Sequence, residues 1–100
     1  MKHTKEQILE KAIKVIKDLD GNQSMRKVNH VTFIGNNKLS RGNNIDKEHP
    51  CWIAYIESLF GNEDHLTISD ETSEPLYYQN FNLITLEIIK NNEGIYQYQK

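Results

Sequence analysis

Apolar and polar residues alternate through the first twenty positions with the three- and four-residue spacing of an amphipathic helix. The apolar members of this pattern are Ile8, Leu9, Ala12, Ile13, Ile16 and Leu19. Thr4 and Gln7 have the spacing of a capping box, in which the threonine hydroxyl accepts a hydrogen bond from the third helical N–H. The pattern predicts a helix over about residues 4–20. The side chains that we expect to face the core are Leu9, Ile13 and Ile16.

From residue 27 onward, apolar residues occur in short runs or in alternation, which is typical of β-strands. The predicted strand segments are residues 28–34, 51–56, 66–68, 76–78, 83–90 and 95–99. Residues 35–44 contain two Gly and four Asn and are predicted to form a loop. The run 51–56 is apolar or aromatic throughout, so we predict that it is the central and most buried strand. In the fifth segment, Ile84, Leu86 and Ile88 are predicted to share one face.

These elements predict a single α+β domain over residues 1–100. One N-terminal amphipathic helix packs on an antiparallel β-meander of five or six strands, because the helix and the sheet each have one apolar surface to bury. Only 37% of the residues are hydrophobic, which is a low share for a domain of this size. A homodimer would bury additional surface and is an alternative to a monomer.

Charge is unevenly divided along the chain. Residues 1–50 contain ten Lys and Arg against six Asp and Glu, a net charge of +4, whereas residues 51–100 contain two against eight, a net charge of −6. The acidic second half is predicted to bind a basic protein partner. Its candidate partner-binding acids are Glu63, Asp64, Asp70, Glu71 and Glu74. The alternative interpretation is that these acids lie in solvated loops at one end of the sheet.

A second candidate contact surface is aromatic. Tyr77, Tyr96 and Tyr98 lie in the predicted C-terminal strands, and tyrosine combines an apolar ring with a polar tip that suits protein interfaces. The overall formal net charge of −2 and the acidic surroundings of these rings argue against nucleic acid as the partner.

No catalytic, phosphate-binding or metal-binding motif is evident in the sequence. His49 and Cys51 are two residues apart, a spacing that zinc accepts within one strand, but no second pair of ligands accompanies them. We therefore expect Cys51, the single cysteine, to be a small buried hydrophobic residue. The sequence predicts a protein that is not an enzyme and that binds no cofactor or metal.

The N-terminal segment is charged throughout and does not resemble a secretory signal peptide. No apolar run approaches the roughly 20 residues of a membrane-spanning helix. We therefore expect a cytoplasmic protein that does not enter a membrane.

The segment from Trp52 through Phe60-Gly61 to residues 66–77 resembles a pattern of PepSY-like and cystatin-like modules, in which a strand bearing Trp precedes a hairpin. The hairpin turn in those modules reads Asp-x-x-[Thr/Ser]-Gly-x, and Ser73-Glu74 take the place of the Thr-Gly pair here. In size, acidity and architecture the chain is also similar to several families of bacterial polymorphic-toxin immunity proteins.

The resemblance to immunity proteins implies a function. It predicts a protein-binding module that binds and neutralises a cognate bacterial toxin, with a nuclease as one candidate toxin activity, and that has no catalytic site of its own. Neither family supplies a functional residue that can be transferred to a numbered position of this chain. The alternative prediction is a small-molecule or peptide-binding domain, with a pocket enclosed by the curved sheet and the helix.

Overall fold

A computed structural model describes residues 2–21, 27–38, 48–57, 61–80 and 84–99. Within these ranges the chain forms one helix followed by six strands. They are α1 (Lys5–Asp20), β1 (Lys27–Lys38), β2 (Glu48–Glu57), β3 (Glu63–Ser69), β4 (Pro75–Gln79), β5 (Thr85–Lys90) and β6 (Tyr96–Tyr98). Each strand pairs antiparallel with the next one in the chain. The predicted α+β fold is confirmed, with six strands in the meander.

The start of α1 is fixed by the predicted capping box. Thr4 Oγ1 accepts a hydrogen bond from the backbone N–H of Gln7 at 3.1 Å, and Gln7 Oε1 accepts one from the backbone N–H of Thr4 at 2.8 Å. The helix stops at Gly21, whose φ of +81° is readily adopted only by glycine. The helix prediction is therefore confirmed to within one residue at its N-terminal end.

The buried face of α1 differs from the predicted one. Its fully buried residues are Ile8, Ala12, Val15 and Ile16. Ile13, which the sequence pattern placed against the sheet, is 39% exposed, so that prediction is wrong. At 3.6 residues per turn, Ile13 points about 115° away from the mean direction of these four buried side chains. Val15 takes its place in the core.

One face of the sheet, here called the inner face, packs against α1 and forms the hydrophobic core. Its buried residues are Val31, Trp52, Ala54, Ile56, Leu66, Ile68, Tyr78, Ile88 and Tyr96. The helix contacts β1, β2, β3 and β6. Because β1 and β6 are the two edges of the sheet, a helix that touches both requires the sheet to curl around it.

Two strand predictions need correction. Residues 35–38 were predicted to be loop but continue β1, with an irregular register between Ile34 and Asn37, and the rest of that predicted loop lies outside the described residues. β2 is highly buried, as predicted, but it is the second strand from the edge, and β3 and β4 are central. Its burial follows from its position between β1 and β3 beneath the helix.

The predicted apolar face of β5 is only partly buried. Ile88 packs in the core, whereas Leu86 is 36% exposed and Ile84, just before the strand, is 54% exposed. α1 has no contact with β5 comparable to those it makes with β1 and β6, so the beginning of β5 lacks a helix above it.

Among the described residues, no helix combines the length and apolar character needed to cross a membrane.

Candidate functional site

The five acids of the predicted partner-binding group do not form one patch. Glu63 begins β3, whereas Asp70 and Glu71 follow its last residue, Ser69. At about 3.3 Å per residue, these two groups of acids lie roughly 20 Å apart along the strand. The charge cluster of the sequence is therefore divided between opposite ends of the sheet.

Asp70 is a buried structural carboxylate with an exposed fraction of 2%. Its Oδ1 accepts hydrogen bonds from Trp52 Nε1 at 2.8 Å and from the backbone N–H of His3 at 3.2 Å, and its Oδ2 accepts one from the backbone N–H of Lys2 at 2.7 Å. Burial alone would raise the pKa of Asp70, but these hydrogen bonds outweigh it and lower the pKa below its ordinary value. Asp70 thus ties the segment before α1 to β2 and to the β3–β4 turn.

Glu74 joins three elements at the same end of the sheet. Its carboxylate accepts hydrogen bonds from Lys11 Nζ on α1 at 3.1 Å, from Lys90 Nζ on β5 at 2.6 Å and from the Tyr96 hydroxyl on β6. The ammonium groups of Lys11, Lys14 and Lys90 all lie within 5.6 Å of the centre of the Tyr96 ring, a distance at which cation–π attraction operates. One lysine from each half of the chain, Lys11 and Lys90, therefore neutralises the charge of Glu74.

Asp64 is also buried, and it accepts a hydrogen bond from the Tyr78 hydroxyl. Solvated loop positions were one interpretation of the five acids, and that interpretation is wrong for Asp64 and Asp70. Asp64, Asp70 and Glu74 are engaged in bonds within the fold, whereas Glu63 and Glu71 are exposed.

The three tyrosines proposed as a contact surface lie on different faces. Tyr96 is buried on the inner face, and Tyr98 packs edge-on against Tyr78 there, with 5.9 Å between ring centres. Tyr77 is buried on the opposite face against Cys51 and Leu76. Tyr77, Tyr96 and Tyr98 therefore do not make one continuous aromatic surface.

The face of the sheet turned away from α1, here called the outer face, carries a row of three rings across β1, β2 and β3. His30 stacks on Tyr55 with 4.4 Å between ring centres, and Tyr55 meets His65 edge-on at 4.8 Å. The side chain of His30 is exposed, and those of Tyr55 and His65 are partly exposed. We call these three residues the histidine–tyrosine row.

Two acids lie beside this row on the outer face. Glu57 of β2 is paired directly with Glu63 of β3. This pair is two residues along each strand from the Tyr55–His65 pair, so its side chains lie on the same face of the sheet. Both carboxylates are exposed. Sequence reasoning missed this arrangement because the three rings are separated by ten or more residues, and only the strand register brings them together.

His49 and Cys51, the two residues with a spacing that zinc accepts, lie at the start of β2, where Cys51 pairs with Ser69 of β3. Cys51 is fully buried, as predicted, and His49 Nε2 lies 2.8 Å from Ser69 Oγ. The same Ser69 oxygen accepts hydrogen bonds from the backbone N–H groups of Glu71 and Thr72, at 3.1 and 3.4 Å. Ser69 is buried, and through these hydrogen bonds its hydroxyl fixes the β3–β4 turn and links it to His49. Across the part of the chain that the structure describes, no three His, Cys, Asp or Glu side chains converge as metal ligands would.

A groove of about 500 Å³ lies at the edge of the sheet, between the last turn of α1 and β6. Its lining residues are Asp18, Leu19, Ile89, Tyr96, Gln97, Tyr98 and Gln99. Asp18 accepts hydrogen bonds from Lys14 and from the backbone N–H of Tyr96 at this edge. The alternative prediction of a ligand pocket has this groove as its location and stays a prediction.

The Glu74 cluster predicts a loss of stability in acid. Partial burial would raise the pKa of Glu74, but the hydrogen bonds from Lys90, Tyr96 and Lys11 outweigh it and lower the pKa from 4.5 to about 2. A carboxylate whose pKa is lower in the folded state stabilises the fold above its unfolded pKa, and this stabilisation is lost as the pH falls from about 4.5 towards 2. Urea titrations across this range should show the loss for the wild-type chain.

The variant that checks the acid effect is Glu74→Gln, and its matched control is Glu71→Gln in the same turn. The unfolding free energy of Glu74→Gln should depend less on pH between 4.5 and 2 than that of the wild type. Glu71 is exposed, so Glu71→Gln should keep the wild-type pH dependence. Equal pH dependence of all three proteins would contradict the role of Glu74.

Comparison of the chain with protein-family models, with curated proteins and with solved structures returns no match.

Proposed function

We propose that this protein is a non-enzymatic protein-binding module that neutralises a bacterial toxin, and that it binds the toxin through the outer face of its sheet. The observation that carries this proposal is the histidine–tyrosine row. Aromatic residues are enriched in protein interfaces, and tyrosine is among the residues that contribute most to binding. Here Tyr55 is held between two imidazole rings, so little side-chain freedom remains to be lost when a partner binds.

The toxin as partner is supported by the likeness to immunity proteins in size, acidity and architecture. A single α+β domain of 100 residues with a net charge of −2 suits that class. The use of Asp70 and Glu74 within the fold moves the proposed contact away from the β3–β4 turn. At the Glu63 end of β3, the outer face brings the exposed acids Glu57 and Glu63 beside the partly exposed rings of Tyr55 and His65.

Co-expression tests the proposal. Cells that produce the toxin domain encoded beside this gene should stop growing, and the wild-type chain should restore growth and form a stoichiometric complex that gel filtration and calorimetry detect. Tyr55→Ala should weaken binding about tenfold or more. The exposed helix residue Ile13 supplies the control, because Ile13→Ala removes an apolar side chain from a different surface.

His30→Ala provides a second test that does not depend on a partly buried residue. Its side chain is exposed and contacts Tyr55, so its removal should lower affinity several-fold and leave thermal unfolding nearly unchanged. A neighbouring gene that encodes no toxin, or a toxin that the wild-type chain neither binds nor inhibits, would overturn the proposal.

A further inference from the structure

We infer that the partner contacts the outer face with a basic segment, and that arginine or lysine side chains of this segment bind between Glu57 and Glu63 while their aliphatic stems lie against the histidine–tyrosine row. This inference rests on the proposed function, because it specifies the chemistry of the protein that the outer face would bind. The two exposed carboxylates and their position beside the rings carry it.

The first step concerns repulsion between the two acids. Glu57 and Glu63 are directly opposite each other on adjacent antiparallel strands. Like charges in such a pair destabilise a sheet, because their side chains start only about 5 Å apart. A cation placed between them removes this repulsion, so the free protein is already arranged to favour a positively charged partner.

The second step concerns the charges nearby. Lys27 of β1 lies opposite Glu57, and Asn29 Nδ2 donates a hydrogen bond to Glu63 Oε2 at 3.2 Å. Counted over the described residues, Lys27, Glu57 and Glu63 together therefore carry a net charge of −1. The exposed charged residues of α1 sum to zero, because three are lysines and three are acids. They are Lys5, Lys14, Lys17, Glu6, Glu10 and Asp20. Between these two surfaces, the outer face is the one that complements a basic segment.

The third step concerns the kind of cation. The Tyr55–His65 pair lies next to the Glu57–Glu63 pair on the same two strands. A guanidinium group can bond a carboxylate through two parallel hydrogen bonds, and its flat face can pack against aromatic rings. Arginine therefore fits this neighbourhood of carboxylates and rings better than lysine, whose ammonium group is a compact point charge.

The experiment uses a tri-arginine peptide with blocked ends as the probe and follows the backbone amides of the full chain by nuclear magnetic resonance at low salt. The largest shift changes should occur at Tyr55, Glu57, Glu63 and His65. Glu57→Gln/Glu63→Gln should weaken the apparent affinity about fivefold or more, because two exposed ion pairs are lost. A tri-lysine peptide should bind less tightly than the arginine peptide.

The matched control is Glu6→Gln/Glu10→Gln, which removes the same charge from the exposed side of α1. This variant should bind the arginine peptide as the wild type does. Glu57→Gln/Glu63→Gln should melt close to the wild type, since it removes the repulsion between the two glutamates together with the attraction between Glu57 and Lys27. Largest shifts on α1, equal weakening in both double variants, or no saturable binding would each overturn the inference.

The toxin domain of the proposed function separates the two proposals. Weaker toxin binding by Glu57→Gln/Glu63→Gln but not by Glu6→Gln/Glu10→Gln supports both. Unchanged toxin binding by the sheet variant overturns the inference and leaves the proposed function standing. Peptide binding at Glu57 and Glu63 together with failure to bind the toxin supports the basic-segment surface and overturns the proposed function.

Discussion

Replacing Ile16 with alanine is expected to lower the free energy of unfolding by about 2–5 kcal/mol. Ile16 is 2% exposed and belongs to the core that α1 forms with the inner face of the sheet. Alanine in its place loses buried apolar surface and leaves a cavity that the surrounding side chains fill only in part. Small domains have about 5–15 kcal/mol of stability in total, so this loss should be evident in a urea titration followed by circular dichroism.

Ile13→Ala is the matched control, because it makes the same change three residues earlier on the same helix. With 39% of Ile13 exposed, we expect a loss below about 1 kcal/mol, which the higher helix propensity of alanine partly offsets. A loss for Ile13→Ala as large as that for Ile16→Ala would show that Ile13 packs against the sheet, as the sequence pattern predicted.

The helix, its cap and the order of the strands could be predicted from sequence because they depend on local patterns. Thr4 and Gln7 are three residues apart, and the short apolar runs and alternations of the strands are visible over a few positions. The choice between Ile13 and Val15 could not be made, because they lie at the two ends of an apolar arc of roughly 160° around α1. The curled sheet that touches the helix on both edges decides which of them is buried.

The candidate site was harder to predict because its contacts are distant in sequence. Trp52 and Asp70 are 18 residues apart, and Lys2 and Asp70 are 68 apart. Counting charges in the sequence treated Asp70 as an exposed acid, either partner-binding or in a solvated loop, whereas it is a buried acceptor. The histidine–tyrosine row likewise depends on the register of three strands, which neither composition nor local spacing specifies.

Asp70→Asn is expected to destabilise the protein by about 2–4 kcal/mol. The carboxylate accepts hydrogen bonds from the Trp52 indole and from the backbone N–H groups of Lys2 and His3. An amide keeps one acceptor oxygen but turns an NH₂ group towards these donors, so at least one buried donor loses its partner. Hydrogen bonds to a charged acceptor are worth more than neutral ones, which places this change among the costly ones.

The pH dependence of Asp70 has the same origin and a defined sign. Its pKa is lowered in the folded protein, so its contribution is complete above the ordinary unfolded value of 3.8 and is lost as the pH falls below it. Asp70→Asn should therefore lower stability at neutral pH, and its difference from the wild type should shrink in acid. Trp52, the only tryptophan, reports the loss of its own hydrogen bond through its fluorescence.

Glu71→Gln is the control for Asp70→Asn, because it changes the neighbouring, exposed acid of the same turn. It should alter the unfolding free energy by less than about 0.5 kcal/mol and leave the fluorescence of Trp52 unchanged. A partner-binding test that neutralises Asp70 together with Glu71 would confuse lost affinity with lost folding, so acids have to be changed singly here. Equal stability of Asp70→Asn and Glu71→Gln would mean that Asp70 does not hold the segment before α1 against β2, and that it is free to serve a partner instead.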